Sequence, residues 1–335
     1  MRTNGIKCWF LAARPKTLTG AAAPVLIGGA LALYEMDGVD YCRPSSVWPL
    51  EGVFPSVEAL TGVLAQNAFL PFLLCLLFAF VMQIDSNFVN DYFDFKKGTD
   101  REDRLGPERA CAQGWVTPKA MRVVIALTTA IACLVGLPLI LWGGLELVAV
   151  GVLCVVFCFL YTTCLSYRGY GDLLVLVFFG VVPVCMTDYV LSGTLDWTAL
   201  LASVSCGLAI DCLLMVNNYR DRNQDKISGK RTLVVRFGKS FGLNAYMVLG
   251  LSAFVLGSVS LCHVTGKWYA FVLMLVYAYH HLMVARRMRQ IDGKALNGIL
   301  GGTARNIFLY GVLFAASLLL LCGIVRFFRY FCVSL

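Results

Sequence analysis

Two short acidic segments hold the residues whose types and spacing are best suited to chemistry. Each follows an apolar run and contains the spacing Asn-x-x-x-Asp. Residues four apart lie on the same face of a helix, so each segment would present an amide and a carboxylate side by side. The side chains concerned are Asn90, Asp94 and Asp100 in the first segment and Asn217, Asp221 and Asp225 in the second.

Oxygen-rich segments of this kind favour a hard cation. Carboxylates beside hydrocarbon are costly unless a positive charge compensates them. Mg²⁺ prefers oxygen ligands and is usually bound by one or two carboxylates together with substrate phosphates. The pattern therefore predicts a Mg²⁺-dependent membrane enzyme that acts on a diphosphate, with Asp94 and Asp221 as its catalytic carboxylates.

The elements that must position these segments are membrane-spanning helices. Of the 335 residues, 59% are hydrophobic and 14% are charged, whereas an ordinary soluble domain is about 45–50% apolar. The apolar residues form runs of roughly 20, the length needed to cross a bilayer. Lipid does not tolerate unpaired backbone groups, and no strand-like alternation is visible, so the spans are predicted to be α-helices.

The predicted architecture is an all-α polytopic membrane protein with about nine helices around a central cavity. The predicted spans are 18–36, 67–89, 120–141, 145–165, 172–191, 197–217, 241–262, 267–285 and 306–325. Residues 1–335 are interpreted as a single domain with its helical bundle at 18–325. The polar segments 91–119 and 218–240 are predicted to be loops that carry function, and 37–66 an irregular outer loop.

The distribution of positive charge predicts the orientation. With the N-terminus inside, 24 of the 28 Lys and Arg residues fall in inner segments, and the other four are Arg43, Lys267, Arg326 and Arg329. This asymmetry follows the positive-inside rule, so the N-terminus and both acidic segments are predicted to be cytoplasmic. The net charge of +8 is explained by topology and gives no reason to expect a nucleic-acid partner.

A weak internal repeat relates the two acidic segments. The second and sixth predicted spans both end in Asn-x-x-x-Asp, and each carries an acid shortly before it, Asp85 or Asp211. Duplication of a four-helix unit plus one extra helix would bring the two segments face to face. Asp85 and Asp211 are interpreted as buried acids paired with an Arg or Lys of the polar segments, with metal binding as the less favoured alternative.

Four further stretches are distinctive: one precedes the first predicted span, one opens the fifth, and one lies in each polar segment. They are Arg14-Pro15-Lys16-Thr17, Arg104-Leu105-Gly106-Pro107-Glu108-Arg109, Gly171-Asp172 and Gly229-Lys230-Arg231-Thr232-Leu233. Together with the acidic segments they make the chain resemble the UbiA superfamily of intramembrane aromatic prenyltransferases, and more narrowly its naphthoate branch. Many superfamily members carry an acid at the position of Gly98, whereas the next acid here is Asp100. That spacing is typical of the naphthoate branch, and Gly98 is expected to let the chain bend so that Asp100 comes back to the site.

The resemblance implies a reaction. A polyprenyl diphosphate would lose its diphosphate to give an allylic cation, which 1,4-dihydroxy-2-naphthoate would attack with loss of CO₂. The isoprenoid tail would lie in an apolar channel open to membrane lipid. The implied location is the inner (plasma) membrane of a bacterium, where the product would enter menaquinone biosynthesis.

The residue types and the resemblance together assign roles. The six oxygen-bearing side chains of the acidic segments would bind Mg²⁺. Basic side chains would contact the diphosphate, and the candidates are Arg14, Arg104, Arg109 and Lys230. Asp91 and Asp172 are expected to support the site from beside the metal. For Asp172 the alternative is a helix N-terminal acid favoured by the helix dipole.

Other classes of membrane protein share parts of this pattern. A transporter would also carry intramembrane acids and an internal repeat, but these acids cluster at one membrane face. A CDP-alcohol phosphotransferase is disfavoured because its D-G-x-x-A-R…G-x-x-x-D-x-x-x-D pattern is missing from the sequence. Within the superfamily, the nearest alternative acceptor is 4-hydroxybenzoate.

Overall fold

The computed structural model describes residues 5–36, 68–99 and 104–333, and the side chains as far as residue 321. Within these ranges nine helices are long and apolar enough to cross a membrane. We label them α1 (Ile6–Met36), α2 (Phe69–Lys96), α3 (Pro118–Gly143), α4 (Glu146–Arg168), α5 (Gly171–Ser192), α6 (Trp197–Ile227), α7 (Lys239–Thr265), α8 (Trp268–Met288) and α9 (Gly293–Leu321). Each overlaps one predicted span, so the predicted all-α multi-span fold is confirmed. Asp100 and the predicted outer loop 37–66 lie outside the described residues.

Helix α1 is interrupted near its start, beside the first acidic segment. Arg14 has a φ of 51°, and Pro15–Thr17 form a 3₁₀ turn before the helix resumes. Asn87 of α2 holds this break by donating hydrogen bonds to the Ala13 carbonyl at 2.9 Å and to the Thr17 hydroxyl at 3.0 Å. The turn therefore fixes the backbone of Arg14 next to α2.

Helix α2 extends into the first acidic segment, and helix α6 extends through the second. Helix α2 ends at Lys96 and α6 ends at Ile227, so the segments 91–119 and 218–240, predicted as loops, begin with helix. The helical hydrogen bonds continue because both segments keep an unbroken run of residues without Gly or Pro. As a result, the described acids of both segments lie in the last turns of helices, and the loops begin only after Lys96 and Ile227.

The two helices also end in the same way. Gly98 and Gly229 have φ values of 68° and 75°. The N–H of Thr99 bonds the Asp94 carbonyl at 3.1 Å, and the N–H of Lys230 bonds the Asp225 carbonyl at 2.8 Å. These are Schellman-type ends, in which a left-handed residue folds the chain back over the last turn. The chain does turn at Gly98, whereas Asp100, which this bend was predicted to bring back to the site, lies outside the described residues.

Helix α6 lies at the centre of the bundle, and α3 and α4 lie at its edge. The apolar window of α6 is 67% buried, whereas those of α3 and α4 are 17% and 11% buried. Small residues bring the central helices together: a Cβ added to Gly180 of α5 would lie 2.6 Å from the Cα of Gly207 of α6. Helices in lipid associate closely through such residues. Helices α5 and α6 are therefore in close contact, whereas α3 and α4 are packed less closely and a cavity remains beside them.

Helix α4 contains a π-helical segment, Tyr161–Leu165. Such segments are concentrated at functional sites. Here the hydroxyl of Thr162 bonds the side-chain oxygen of Asn90, and Lys97 Nζ donates to two carbonyls of the segment at 3.0 and 2.7 Å. The irregular end of α4 is thus tied to the first acidic segment.

Asp85 has partners different from those predicted. It accepts hydrogen bonds from the hydroxyls of Thr128 and Thr129 on α3, the latter at 2.9 Å. Two hydroxyl donors satisfy a buried carboxyl group without bringing a second charge into the membrane. The interpretation of Asp85 as the partner of an Arg or Lys was therefore wrong, and the side chain links α2 to α3.

Candidate active site

A cavity of about 420 Å³ lies among helices α1 to α6. At one end it is lined by polar side chains that include Arg14, Asn87, Asn90, Tyr161 and Asn217, and most of its remaining wall is apolar. Since Asn90 and Asn217 line the same space, the two acidic segments meet at one cavity from different helices. The internal repeat predicts this meeting.

The first acidic segment is held by an ion pair and a phenol. Asp94 Oδ2 lies 3.2 Å from Arg109 Nη2, and Asp94 Oδ1 accepts a hydrogen bond of 3.2 Å from the Tyr167 hydroxyl. The side chains of Asp94 and Arg109 are only 17% and 7% exposed. A partly desolvated pair of this kind interacts more strongly than one at the surface.

Asp91 takes no part in this ion pair and instead holds the neighbouring loop. It is buried, and its two oxygens accept hydrogen bonds from the backbone N–H groups of Ala110 and Cys111 at 2.8 and 2.9 Å. Charged hydrogen bonds of this type are among the stronger ones in proteins. They fix the loop that carries Arg109, so the contacts of Asp91 position an arginine.

The second acidic segment is joined to the opposite loop through Arg220. Both oxygens of Asp221 accept bonds of 2.7 Å from the Arg220 guanidinium, which also donates to Asn297 at 2.9 Å. Asn297 of α9 in turn donates to the carbonyl of Leu105 at 2.8 Å. A Cβ on Gly106 would lie 2.7 Å from Arg220, so glycine is what lets this loop cross the guanidinium.

Asp225 completes the second segment. Its Oδ1 lies 3.9 Å from Lys230 Nζ, and its Oδ2 is buried with no hydrogen-bond partner among the described residues. Asp94, Asp221 and Arg104 all lie within electrostatic range of Asp225. The carboxylates of the two segments therefore surround one polar region.

Tyr167 connects the two segments directly. Besides its bond to Asp94, its ring faces Lys97 Nζ at 3.6 Å and Lys230 Nζ at 5.8 Å from the centroid. An ammonium group over an aromatic face is attracted by the ring quadrupole. Partial burial lowers the pKa of Lys97, while the charge of Asp94 acts in the opposite direction. Both cations are thereby held at the edge of the polar region.

The remaining predicted residues lie as follows. Arg14 lines the cavity. Arg104 Nε donates a hydrogen bond of 3.1 Å to the Pro107 carbonyl, and this contact closes a turn within the loop. Asp172, near the start of α5, lies within electrostatic range of Lys230, and its Oδ1 is buried with no hydrogen-bond partner among the described residues.

Sequence reasoning missed several residues of this site. Lys97 and Arg220 are close in sequence to predicted acids. The mixture of basic and acidic residues in these segments could have indicated that they belong to the site. Tyr161 and Tyr167 lie at the polar end of an otherwise apolar run, and this position indicates a site residue less clearly. Asn297 lies in the last predicted inner segment, far from both motifs in sequence, and only the fold brings it to Arg220.

The donor set fits Mg²⁺. All the candidate ligand atoms are oxygens, and a carboxylate has about four lone-pair positions, so the bonds that Asp94 and Asp221 make leave capacity for a cation. The buried Oδ2 of Asp225 has no competing partner among the described residues. No three His, Cys, Asp or Glu side chains in the described ranges form a ready-made cluster. Mg²⁺ needs few protein carboxylates because water and substrate phosphates complete its shell.

The profile of the UbiA prenyltransferase family matches residues 55–308. The chain belongs to this family. The resemblance stated from the motifs is thereby confirmed. The 1,4-dihydroxy-2-naphthoate octaprenyltransferase of Escherichia coli (strain K12) is 32% identical over 94% of this chain and 96% of its own length. The protein of the same name from Haemophilus influenzae is 31% identical over 96% and 98%.

Solved structures of UbiA homologues share the fold. A homologue from Aeropyrum pernix K1 superimposes with a TM-score of 0.63 at 13% identity, covering 92% of this chain and 98% of that one. A homologue from Archaeoglobus fulgidus bound to GPP and Mg²⁺ gives a TM-score of 0.56, also at 13% identity, over 94% and 99%. The family and the nine apolar helices indicate a multi-pass membrane protein.

Proposed function

We propose that this protein transfers a polyprenyl group from an allylic polyprenyl diphosphate to 1,4-dihydroxy-2-naphthoate, with release of diphosphate and CO₂, as a step of menaquinone biosynthesis. The observation that carries the proposal is the meeting of two acidic segments at the polar end of one apolar cavity. The relatives from E. coli and H. influenzae, named as naphthoate octaprenyltransferases, support the acceptor. Their bacterial origin supports a bacterial inner membrane as the location.

The acidic segments would hold the metal. The proposed ligands are Asn90, Asp94, Asp100, Asn217, Asp221 and Asp225. Bound Mg²⁺ would neutralise the charge that builds up on the departing diphosphate. The complex of the A. fulgidus homologue with GPP and Mg²⁺ supports the use of this cation in the fold.

Basic side chains around the acids would bind the diphosphate. The proposed residues are Arg14, Arg104, Arg109 and Lys230. Arg109 and Lys230 are already held in place by Asp94 and Asp225. Preorganised positive groups stabilise negative charge as it develops, so they lower the barrier to breaking the allylic C–O bond.

The cavity would accept the isoprenoid tail. Leu137 of α3 and Val148 and Val152 of α4 line the cavity and are also 61%, 45% and 56% exposed. We infer from these exposed lining residues that the cavity opens sideways between α3 and α4. A long tail would leave through this opening into the bilayer, while its first isoprene unit stays at the polar end, sheltered from water.

A reconstituted assay tests this function. Protein in liposomes is given Mg²⁺ and a long-chain allylic diphosphate, with 1,4-dihydroxy-2-naphthoate or 4-hydroxybenzoate as acceptor. We expect a prenylated, decarboxylated naphthoquinol that disappears when EDTA is added. Product from the benzoate alone would move the reaction to another acceptor, and the absence of product from both, with or without EDTA, would refute prenyl transfer.

A further inference from the structure

Asn297 of α9 links the loop that follows the first acidic segment to the helix that carries the second. Its Oδ1 accepts a hydrogen bond of 2.9 Å from Arg220 Nη1, and its Nδ2 donates one of 2.8 Å to the Leu105 carbonyl. A guanidinium group can only donate and a carbonyl can only accept, so the two partners fix the orientation of the amide. A side chain outside both acidic segments thus joins the loop to α6.

Arg220 is the buried member of this link. Its side chain is 1% exposed, and its Nε and Nη2 atoms donate bonds of 2.7 Å to the two oxygens of Asp221. A buried guanidinium group is costly unless its donors are satisfied. Asn297 satisfies a donor that Asp221 does not reach. The amide therefore helps to hold the guanidinium, and with it the Asp221 carboxylate, in one position.

The loop crosses Arg220 at Gly106. A Cβ added to Gly106 would lie 2.7 Å from Arg220 Nη2 and 3.3 Å from Arg104 Nε, so the backbone passes close to both arginine side chains. Leu105 lies between Arg104 and Gly106 in the chain. The bond from Asn297 to the Leu105 carbonyl therefore fixes the stretch of backbone that carries Arg104.

The other end of the loop is held by the first acidic segment. Asp94 pairs with Arg109, and Asp91 accepts hydrogen bonds from the backbone N–H groups of Ala110 and Cys111. The loop is thus attached to α2 at one end and, through the amide on α9, to α6 at the other. Its position sets where the proposed diphosphate-binding arginines lie relative to the acids of both segments.

From these contacts we propose that Asn297 is a positioning residue, whose amide holds the loop against Arg220 and thereby places Arg104 and Asp221 around the prenyl diphosphate. The proposal rests on the prenyl-transfer function proposed above and adds a third part of the chain to the donor site. Asn297 acts through its two partners and does not itself contact the substrate. Small displacements of groups around a reacting centre are costly, and a shift of about 1 Å can lower a rate about 10²-fold.

Two substitutions of similar size separate the two hydrogen bonds of Asn297 in steady-state kinetics of the reconstituted full-length protein. Aspartate keeps an acceptor for Arg220 but cannot donate to Leu105. In Asn297→Asp we therefore expect the KM for the prenyl diphosphate to rise about tenfold, with an unchanged KM for the naphthoate. Leucine makes neither bond, so Asn297→Leu should also raise the Mg²⁺ concentration needed for half-maximal rate, because Arg220 then no longer holds Asp221 in place.

Lys294→Gln is the matched control. Lys294 is exposed at the start of α9, and its replacement changes the net charge by the same amount as Asn297→Asp. We expect it to leave both KM values and the Mg²⁺ requirement unchanged. If Asn297→Asp lowers the thermal transition but leaves the KM for the prenyl diphosphate unchanged, the link only stabilises the fold and the proposal is overturned.

A double-mutant cycle tests whether Asn297 acts through Arg104. In a protein that already carries Arg104→Ala, Asn297→Asp should change the KM for the prenyl diphosphate by less than about twofold, because the side chain that it positions is gone. Effects that multiply would overturn the proposal. Should the Asn297 variants fail to fold, Gly106→Ala disturbs the same crossing with Asn297 intact, and a normal KM for the prenyl diphosphate in that variant overturns it equally.

A binding measurement distinguishes this proposal from the proposed function. Inorganic diphosphate with Mg²⁺ should raise the thermal transition of the purified wild-type protein, and Asn297→Asp should need about tenfold more diphosphate for the same rise. No rise in the wild type, or an equal requirement in the two proteins, would overturn the positioning role. A wild-type protein that shows this difference from Asn297→Asp but forms no prenylated product would refute prenyl transfer and still support the positioning role.

Discussion

At the scale of single residues, the acids of this site divide into three kinds of environment. Asp94 and Asp221 are partly buried and paired with arginines. Asp91 is buried and bound to backbone N–H groups. Asp211 is buried without such bonds to its Oδ1. The same side chain thus holds a loop in one position and, as we propose, binds a cation in others, and its surroundings decide which.

Replacement of the two motif acids should abolish turnover. In Asp94→Asn and Asp221→Asn we expect kcat to fall by at least about 10²-fold, since the lost charge acts on the transition state more than on substrate binding. The measurement is Mg²⁺-dependent prenyl transfer in liposomes. Asp292→Asn is the matched control, a half-exposed acid of the same polar face that pairs with Lys239 and Arg222. Near-normal turnover in either motif variant would contradict a role in binding the metal.

At the scale of elements, the function depends on how α2 and α6 end. Sequence spacing predicts which helix face carries each Asn and Asp. The glycine four residues after Asp94 and after Asp225 decides where the chain turns back. Because the turn after Gly229 brings Lys230 to Asp225, a helix end doubles as part of the charged site.

Alanine at position 229 should weaken both the fold and the site. A non-glycine residue in the left-handed region costs about 1 kcal/mol, so we expect Gly229→Ala to lower the thermal transition and to raise the KM for the prenyl diphosphate as Lys230 shifts. The measurements are thermal unfolding in detergent and steady-state kinetics. Gly298→Ala is the control, since that helical glycine faces open space and lacks a positive φ; it should leave both values nearly unchanged. An equal effect of the two substitutions would contradict the strain argument.

At the scale of the whole molecule, the central helices are closely packed, whereas the helices at one edge are packed less closely. Helices α5 and α6 contact each other through glycines, whereas α3 and α4 face mainly outward. The difference leaves room for the cavity, and an opening between α3 and α4 is the path that we propose for a long substrate tail. Orientation in the membrane remains a prediction from the charge asymmetry.

Cysteine labelling tests that orientation. Position 223 is exposed at the end of α6, and Lys267 is exposed between α7 and α8. In intact cells, an impermeant maleimide should label Lys267→Cys and leave Asn223→Cys unlabelled until the membrane is opened, because positive loops stay inside. The wild-type protein gives the background from its own cysteines. Labelling of position 223 from outside would reverse the topology.

The sequence by itself determined the fold class, the spans and the positions of the two acidic segments. These features depend on composition, on run length and on four-residue spacing, all of which are local properties of the chain. The turn of the chain at Gly98 was also predictable, since glycine's conformational freedom is a local property.

Only the tertiary structure decided which side chains meet. The partner of Asp85 was predicted wrongly because the hydroxyls of Thr128 and Thr129 come from a neighbouring helix. The links from Arg220 to Asn297, and from Tyr167 to both acidic segments, join residues far apart in the chain. Such contacts depend on helix packing and on the π segment of α4, and no local pattern encodes them. The cavity exists for the same reason, as the space left where small residues draw some helices together and others stay apart.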